Sequence, residues 1–596
     1  MRFTRTLYGV LILILCSLSF SEASTIRLIK PNGLTYSFNK IQKAITAAQP
    51  GDKVLIPPGV HFEILRIIKK KGEKGKPIII EGTKAETCII DGAFVIHPKK
   101  EANLPSEVVI KAKWKETKIK GKKCYFLDTP LKVEPIIARD SSGTRIWHFA
   151  SEQEFIESPI PLGTYYDKKH QKLYLKAPNS FDPNNETILI SRYTFTVEIR
   201  QSSFIILRNL TIRNGGAASI QIVGSPNIEL SNLIINGGQR GIYFKDPVKG
   251  VRSSNVFIHD CKVIEKYDPE WFWSDFKTQK PRKMEGSGIY IRRAGSNNRI
   301  SNCQISGFFN GISVITSRKG FNNPGLIIDG NTIHNIMDDG IELDCTCING
   351  KVYKNTLYDV FVGISLAPCQ GPVYIYRNVV LAGKVINFDR KKNSRIRGPV
   401  LKIGGTFRKP TSDIYIYNNT LCDPSHVVVF GYQNGVARNL IFLNNIFMTE
   451  WGYTLYFNTK NVSNLNFIRN LYYKRKKGDV VRGWRESFKG KNIKIYNCIR
   501  YRITKRILLS KLRCISFKLR RVDQYALKIN PRIIAPFDYP PDPRLRFNSP
   551  AIDAGINLKN CLSLPDCVTI KDGFIDIGAV EYIPKKYIPK RRYKRW

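Results

Sequence analysis

Asn331-Thr332-Ile333, Asn355-Thr356-Leu357, Asn378-Val379-Val380, Asn419-Thr420-Leu421, Asn445-Ile446-Phe447 and Asn470-Leu471-Tyr472 share one pattern, an asparagine opening a short β-prone run. Between these asparagines the steps are 24, 23, 41, 26 and 25 residues. Working back toward the N-terminus, the same column holds Leu210, Leu233, Cys261 and Cys303. A second column reads Gly241-Ile242, Gly288-Ile289, Gly311-Ile312, Gly340-Ile341 and Gly363-Ile364, with Ile386 after them. Columns of this kind arise when each turn of a coil of parallel strands sits on the last, about 4.8 Å away, so that like residues stack in files. Apolar files build a continuous core. An inward asparagine at a bend can satisfy its own turn and bond the next asparagine, forming a polar ladder with few orphaned groups. The runs alternate with period two and are rich in Val, Ile, Tyr and Asn, which excludes a helical solenoid. Propeller blades would need more strands per unit and longer periods. The pattern predicts an all-β chain folded as a parallel β-helix.

Composition agrees with a globular body. The chain has 596 residues, 42% hydrophobic and 24% charged, which excludes wholesale disorder and a collagen-like repeat. Its 95 Lys and Arg against 48 Asp and Glu give a formal charge of +47, which predicts attraction to a polyanion. Arg2 and Arg5 precede an apolar run from Leu7 to Phe20, and Ser21-Glu22-Ala23 follows with small residues where a signal peptidase reads. Residues 1–23 are therefore expected to be a signal peptide, leaving a secreted or periplasmic chain without a membrane span. Export makes nucleic acid a poor partner, and no recognition motif for it is present. The expected partner is an acidic polysaccharide or an anionic envelope polymer, met by a monomer. The cysteines show no zinc spacing. Most are expected to fill core, with a Cys261–Cys303 bridge left open beside buried thiols.

The Asn-Thr-apolar and Gly-Ile-x-Leu runs, with Ile41-Gln42-Lys43-Ala44-Ile45, Gln49-Pro50-Gly51-Asp52 and Pro58-Gly59, resemble the right-handed parallel β-helix, pectate-lyase-like superfamily. The opening, including Gly75-Lys76-Pro77-Ile78-Ile79-Ile80, is similar to the first turns of secreted alginate and chondroitin lyases. Asn548-Ser549-Pro550-Ala551-Ile552-Asp553-Ala554-Gly555 and Asp576-Ile577-Gly578-Ala579-Val580-Glu581-Tyr582 resemble the C-terminal segment of many secreted β-helix proteins. The resemblance implies a right-handed coil. It leaves the reaction open, because that fold hosts lyases, hydrolases, epimerases and passive adhesins. Along the chain the expected parts are an N-terminal cap with first turns over 24–94, an insertion with a β-hairpin over 95–200, the regular coil over 201–475, and a C-terminal segment with a basic tail over 476–596. A short amphipathic helix over 39–48 is expected to cap the coil.

Candidate chemistry falls on the residues that the Gly-Ile-x-apolar strands turn outward. These are Tyr243 and Lys245, Tyr290 and Arg292, Glu342 and Asp344, and Asn387 and Asp389. Trp271, Phe272, Trp273 and Phe276 are expected to form an aromatic wall, and Arg390, Lys391, Lys392, Arg395, Arg397, Lys402, Arg408 and Lys409 a basic one. A uronate β-elimination needs its carboxylate neutralised, the C5 proton removed and the leaving oxygen protonated. Arg292 and Tyr290 are the residues expected to act, with Lys245, Tyr243, Arg293, Trp271, Trp273 and Asp389 binding substrate. Glu342 and Asp344, about 6.5–7 Å apart by strand rise, could instead serve as the acid and base of a glycoside hydrolase. Asp338 and Asp339 beside them are hard-oxygen candidates for calcium. Polysaccharide lyase, glycoside hydrolase and noncatalytic binding protein all stay open. His148, His259 and His334 are read as turn or surface residues.

Overall fold

The computed structural model describes residues 25–476, apart from 97–103, 248, 317–322, 383–386, 391, 433–434 and 460, and short stretches beyond Lys476. The expected signal peptide, the basic tail and most of the C-terminal motifs lie outside the described residues. The fold is a right-handed parallel β-helix. Its residues group into two compact units, Met1–Ser313 with Phe388–Asn393, and Val314–Asn387 with Ser394–Trp596.

In the first unit the coil opens with the expected helix, Ile41–Ala47, whose Ile41, Ala44 and Ile45 are buried. Its N-terminus has no side-chain cap of its own. The Glu63 carboxylate substitutes, accepting the Ile41 and Gln42 backbone N–H groups at 3.0 and 3.2 Å. Strands Ile78–Gly82, Ile205–Arg208, Ile228–Ser231, Phe257–His259 and Arg299–Ser301 then pair in parallel and in register. That register stacks Ile80, Leu207, Leu230, Ile258 and Ile300 in one buried file.

The insertion leaves this coil and comes back without disturbing it. Leu65–Ile68 pairs in parallel with Phe195–Arg200, and Cys88–Asp91 with Thr211–Arg213. Between them the chain builds a separate nine-stranded sheet. It contains the expected hairpin, Gly163–Asp167 against Lys172–Lys176, and has its own core around Trp114, Ile146, Leu173, Leu175 and Ile188. Buried charge clamps it to the coil. Arg139 gives two parallel bonds to Glu265, at 2.6 and 2.9 Å, and a third to Asn214 at 3.0 Å. Arg145 lies 3.7 Å from the same carboxylate. His148 is buried as well, against Glu134 at 2.9 Å and Thr164 at 3.3 Å. This corrects its reading as a surface residue: the Glu134 carboxylate and Thr164 hydroxyl supply the partners a buried imidazole needs.

In the second unit the asparagine ladder is complete. The side-chain oxygen of Asn355 accepts both the backbone N–H and the amide N–H of Asn331, at 3.0 and 2.9 Å. The same double contact recurs from Asn355 to Asn378, Asn378 to Asn419, Asn419 to Asn445 and Asn445 to Asn470. Each receiving amide also donates to a strand carbonyl of the preceding turn, as Asn378 does to Val352 at 2.9 Å. Core aromatics repeat too, with Phe430 on Phe457 at 4.5 Å and Phe442 on Phe467 at 4.6 Å.

One backbone feature explains the bend in both units. The residue before every ladder position is left-handed: Asn209, Asn232, Asp260, Asn302, Gly330, Lys354, Arg377, Asn418, Asn444 and Arg469 all have φ between 50 and 66°. Asn, Asp and Gly tolerate that conformation best. Lys354, Arg377 and Arg469 hold it without that advantage. Cys261 and Cys303 are buried free thiols, and the bridged pair is Cys345–Cys347.

Candidate functional site

On the outward face of the first unit, register places Arg66, Glu198, Gln221, Tyr243 and Tyr290 in one file. The top of the file is electrically closed. Arg66 donates to Glu198 at 2.7 Å and Arg200 donates to its other oxygen at 2.8 Å. Lower down the balance changes. The rings of Tyr243 and Tyr290 lie 5.5 Å apart, and the Arg240 guanidinium sits 4.9 and 4.8 Å from their centroids. Among the described residues Arg240 makes one side-chain hydrogen bond, to the neutral Gln239 oxygen at 2.7 Å, and its buried Nε has no partner. Burial pushes its pKa down, as expected for a cation stripped of water without a counter-ion. Glu285 is near, but Lys277 and Arg282 already bind it at 2.9 and 3.1 Å.

Lys245 and Arg292 follow the two tyrosines on this face. Both are exposed, and among the described residues neither forms an ion pair. The loop after Lys245 is fixed by buried Asp246, which accepts the Gly224 and Ser253 N–H groups and the Ser253 hydroxyl. Three cations and two phenols thus share this part of the face, and among the described residues no carboxylate forms an ion pair with any of the three cations. Such a set favours an anion that brings a flat, partly apolar ring.

Several expectations for this unit need correcting. Tyr243 is only 6% exposed, because Arg240 covers it. Trp271 is interior and packs edge-on against buried Trp147 at 5.0 Å, so it cannot be a groove wall. Trp273, with the Lys277 ammonium over its ring, and Arg293 are half-buried, as Tyr290 is, which leaves their expected roles open. Asp389 is buried and accepts the Lys392 N–H, while Arg390 pairs with Asp275 at 2.8 Å. Arg240, the centre of the cluster, was not among the sequence candidates. The available signal was an arginine directly before a Gly-Ile pair. Asn387 and Lys391 have side chains outside the described residues.

The second unit carries a different outward file: Glu342, Ser365, Lys402, Val429, Tyr456 and Arg482 in register. Lys402 is not a free groove cation. It is buried and bonds both Asp339 oxygens, at 2.8 and 2.9 Å. Burial works against its charge, yet Asp339, Asp338 and Glu342 outweigh that and hold it protonated. Burial pushes the Asp339 carboxyl up to about 7 against the pull of Lys402, and Asp338 and Glu342 add to the push. Glu342 and Asp344 are half-buried, and Asp344 accepts the Ala367 N–H at 3.3 Å. Among the described residues no three His, Cys, Asp or Glu side chains are placed to hold a metal ion. For Asp339 the cation supplied is an ammonium.

Also in this unit, Arg395, Arg397, Ser425, His426 and Trp451 line an open cavity of about 390 Å³. Of the expected basic wall, Arg390, Lys392 and Lys402 are held in ion pairs, Arg395 and Arg397 line this cavity, and Arg408 and Lys409 are exposed outside it.

A family model described as a right handed beta helix region matches residues 195–380. No curated protein matches the chain. Among solved structures, the chain is similar to XylC in complex with xylose, at 13% identity and TM-score 0.43, covering 74% of this chain and 83% of that one. It is also similar to the PL6 family alginate lyase AlyGC, at 11% and 0.38, covering 73% and 50%. A third is pectate lyase Pel9A, at 11% and 0.37, covering 90% of each chain. Among the described residues, no helix is long and apolar enough to cross a membrane.

Proposed function

We propose that this protein acts outside the cell on an acidic polysaccharide, cleaving it by β-elimination at a uronate bound on the Arg240–Tyr243–Tyr290 face. One observation carries the reading: the Arg240 guanidinium lies over two neighbouring phenol rings beside Lys245 and Arg292, and among the described residues none of the three cations forms an ion pair. A uronate supplies the missing part, a carboxylate for the cations, and its sugar ring can rest on the edge of half-buried Tyr290. Arginine bonding to the carboxylate stabilises the charge that develops as the C5 proton leaves. Tyr290, less covered than Tyr243, is the phenol assigned to move that proton. The C4–O bond breaks, its electron pair goes to the leaving oxygen, that oxygen takes a proton, and a C4–C5 double bond remains. Hydrolysis by Glu342 and Asp344 is a second reading, favoured by their placement two residues apart on one outward strand face of the second unit.

The test incubates the full chain with polygalacturonate, alginate and glycosaminoglycans and follows the ultraviolet absorbance of an unsaturated uronate. Absorbance that grows with time is the expected result. New reducing ends without absorbance would transfer the chemistry to hydrolysis, and binding without either would make the protein a noncatalytic binder. With elimination in hand, Tyr290→Phe should lower kcat about 100-fold or more with KM little changed, and Arg240→Gln should raise KM. Glu342→Gln should leave the rate near wild type, and its loss would instead support the carboxylate pair.

A further inference from the structure

The cavity of the second unit is built from parts the proposed reaction does not use. Trp451 is 47% exposed at its rim. Arg395 is exposed and forms no ion pair among the described residues. His426 is fixed in orientation: its Nδ1 accepts the Tyr453 N–H at 3.1 Å, and its ring stacks on Tyr453 at 5.7 Å and leans on Tyr456 at 5.5 Å. A ring whose Nδ1 accepts carries its proton on Nε2, which has no partner among the described residues. Burial, aided by the charges of Arg482 and Lys474, lowers the His426 pKa and keeps that tautomer neutral. Asp423, at the start of this turn, bonds the turn itself. It is buried, accepts the Ser425 N–H and hydroxyl and the His426 N–H, and burial raises its pKa to about 7. Its hydrogen-bonding capacity is thus engaged by the turn itself, and it does not line the cavity.

We infer that this cavity is a second saccharide subsite, taking a single sugar residue that carries an oxyanion. The guanidinium of Arg395, with Arg397 beside it, meets the oxyanion. The Trp451 indole faces the apolar side of the sugar ring, and the Nε2–H of His426 donates to a ring hydroxyl. A carboxylate and a sulfate ester present the same chemistry here, and the experiment separates them. The inference rests on the reading of an acidic saccharide ligand but not on any reaction, so it is tested by binding alone.

Tryptophan fluorescence and calorimetry of the full chain would be followed on titration with oligogalacturonate, a sulfated galactan oligomer and a neutral malto-oligosaccharide. The expected result is saturable quenching by an anionic oligomer. It should vanish in Trp451→Ala, weaken about tenfold in Arg395→Gln, and persist in Arg240→Gln, with circular dichroism unchanged in each. Response to oligogalacturonate alone assigns the carboxylate, to the sulfated oligomer alone the ester, and to both an oxyanion of either kind. Quenching that survives Trp451→Ala, equal binding of the neutral oligomer, or no anionic binding that Arg395→Gln weakens would overturn the subsite. Because no turnover is measured, a protein that binds here yet forms no unsaturated product would refute the elimination and leave the subsite standing.

Discussion

The inner bend of the coil is built with two chemistries. In the first unit it holds Leu210, Leu233, Cys261 and Cys303, each buried. In the second it holds six asparagines, equally buried and bonded rung to rung. The left-handed residue before each position is common to both, so the backbone turn does not require asparagine. The difference lies in what each file asks of its neighbours. A leucine or cysteine needs only to be covered. An asparagine needs an asparagine in the next turn, because its N–H groups are met by that side chain's oxygen. The apolar file is locally tolerant and the amide file is mutually dependent.

That contrast can be broken most severely at the middle of the ladder. Asn378→Leu removes the acceptor for two Asn355 N–H groups and the donor to Val352, leaving several buried groups unsatisfied at about 1–3 kcal/mol each. We expect a loss of about 3–5 kcal/mol, read as lost amide hydrogen-exchange protection in Gly350–Tyr353 and Thr411–Tyr417. Protection that stays unchanged would show that the ladder decorates the turn and does not hold it. The reverse exchange, Leu233→Asn, sets an amide between Leu210 and Cys261, neither of which offers a matching side-chain partner. Its expected cost is about 2–4 kcal/mol, from lost apolar burial and an unpaired amide, measured by the same exchange in Ile228–Ser231. A neutral outcome would mean that a lone amide satisfies itself at this bend.

The smallest effect is a pH dependence confined to the first unit. Burial alone would raise Glu134, but hydrogen bonds and charge from His148 and Lys283 bring it down to about 2. Its stabilising share is therefore present above the ordinary value of 4.5 and is lost as pH falls toward 2. Burial lowers the His148 pKa from 6.5, so its unfolded form takes up a proton first, and stability again declines as pH drops below 6.5. Thermal unfolding followed by near-ultraviolet circular dichroism should show a falling midpoint from pH 7 to 2, with the fall below pH 4.5 shallower in Glu134→Gln. Equal slopes would remove Glu134 from the account.

What was legible in the sequence was what repeats locally. Asn331 to Asn470, the Gly-Ile strands, the helix at Ile41–Ala47 and the hairpin at Gly163–Asp167 each follow from a short pattern with a physical reason. The candidate site was legible only in part. Tyr243, Tyr290, Lys245 and Arg292 were placed on one face by alternation. Alternation could not show that Arg240 folds over the two rings, nor that Trp271 packs on Trp147. Lys402 meets Asp339 across 63 positions, and Arg139 meets Glu265 across 126. Such pairings belong to the tertiary path, and no spacing rule in one sequence encodes them.

The detour between Cys88–Asp91 and Phe195–Arg200 has a consequence for how such a coil can acquire new parts. An ordinary rung joins strands 23 positions apart, as from Ser202 to Ser225, whereas Arg66 meets Glu198 across 132. By loop-closure entropy the longer span costs only roughly 1.5 kcal/mol more. A guest sequence that builds its own core, as this one does around Trp114 and Leu173, offsets much of that itself. The coil's adjacency is spatial, set by which strand arrives next at the growing edge, and is indifferent to how far the chain has travelled. Grafting at a rung junction is thus thermodynamically cheap for this architecture, and fresh surfaces can be added without rewriting the scaffold's register.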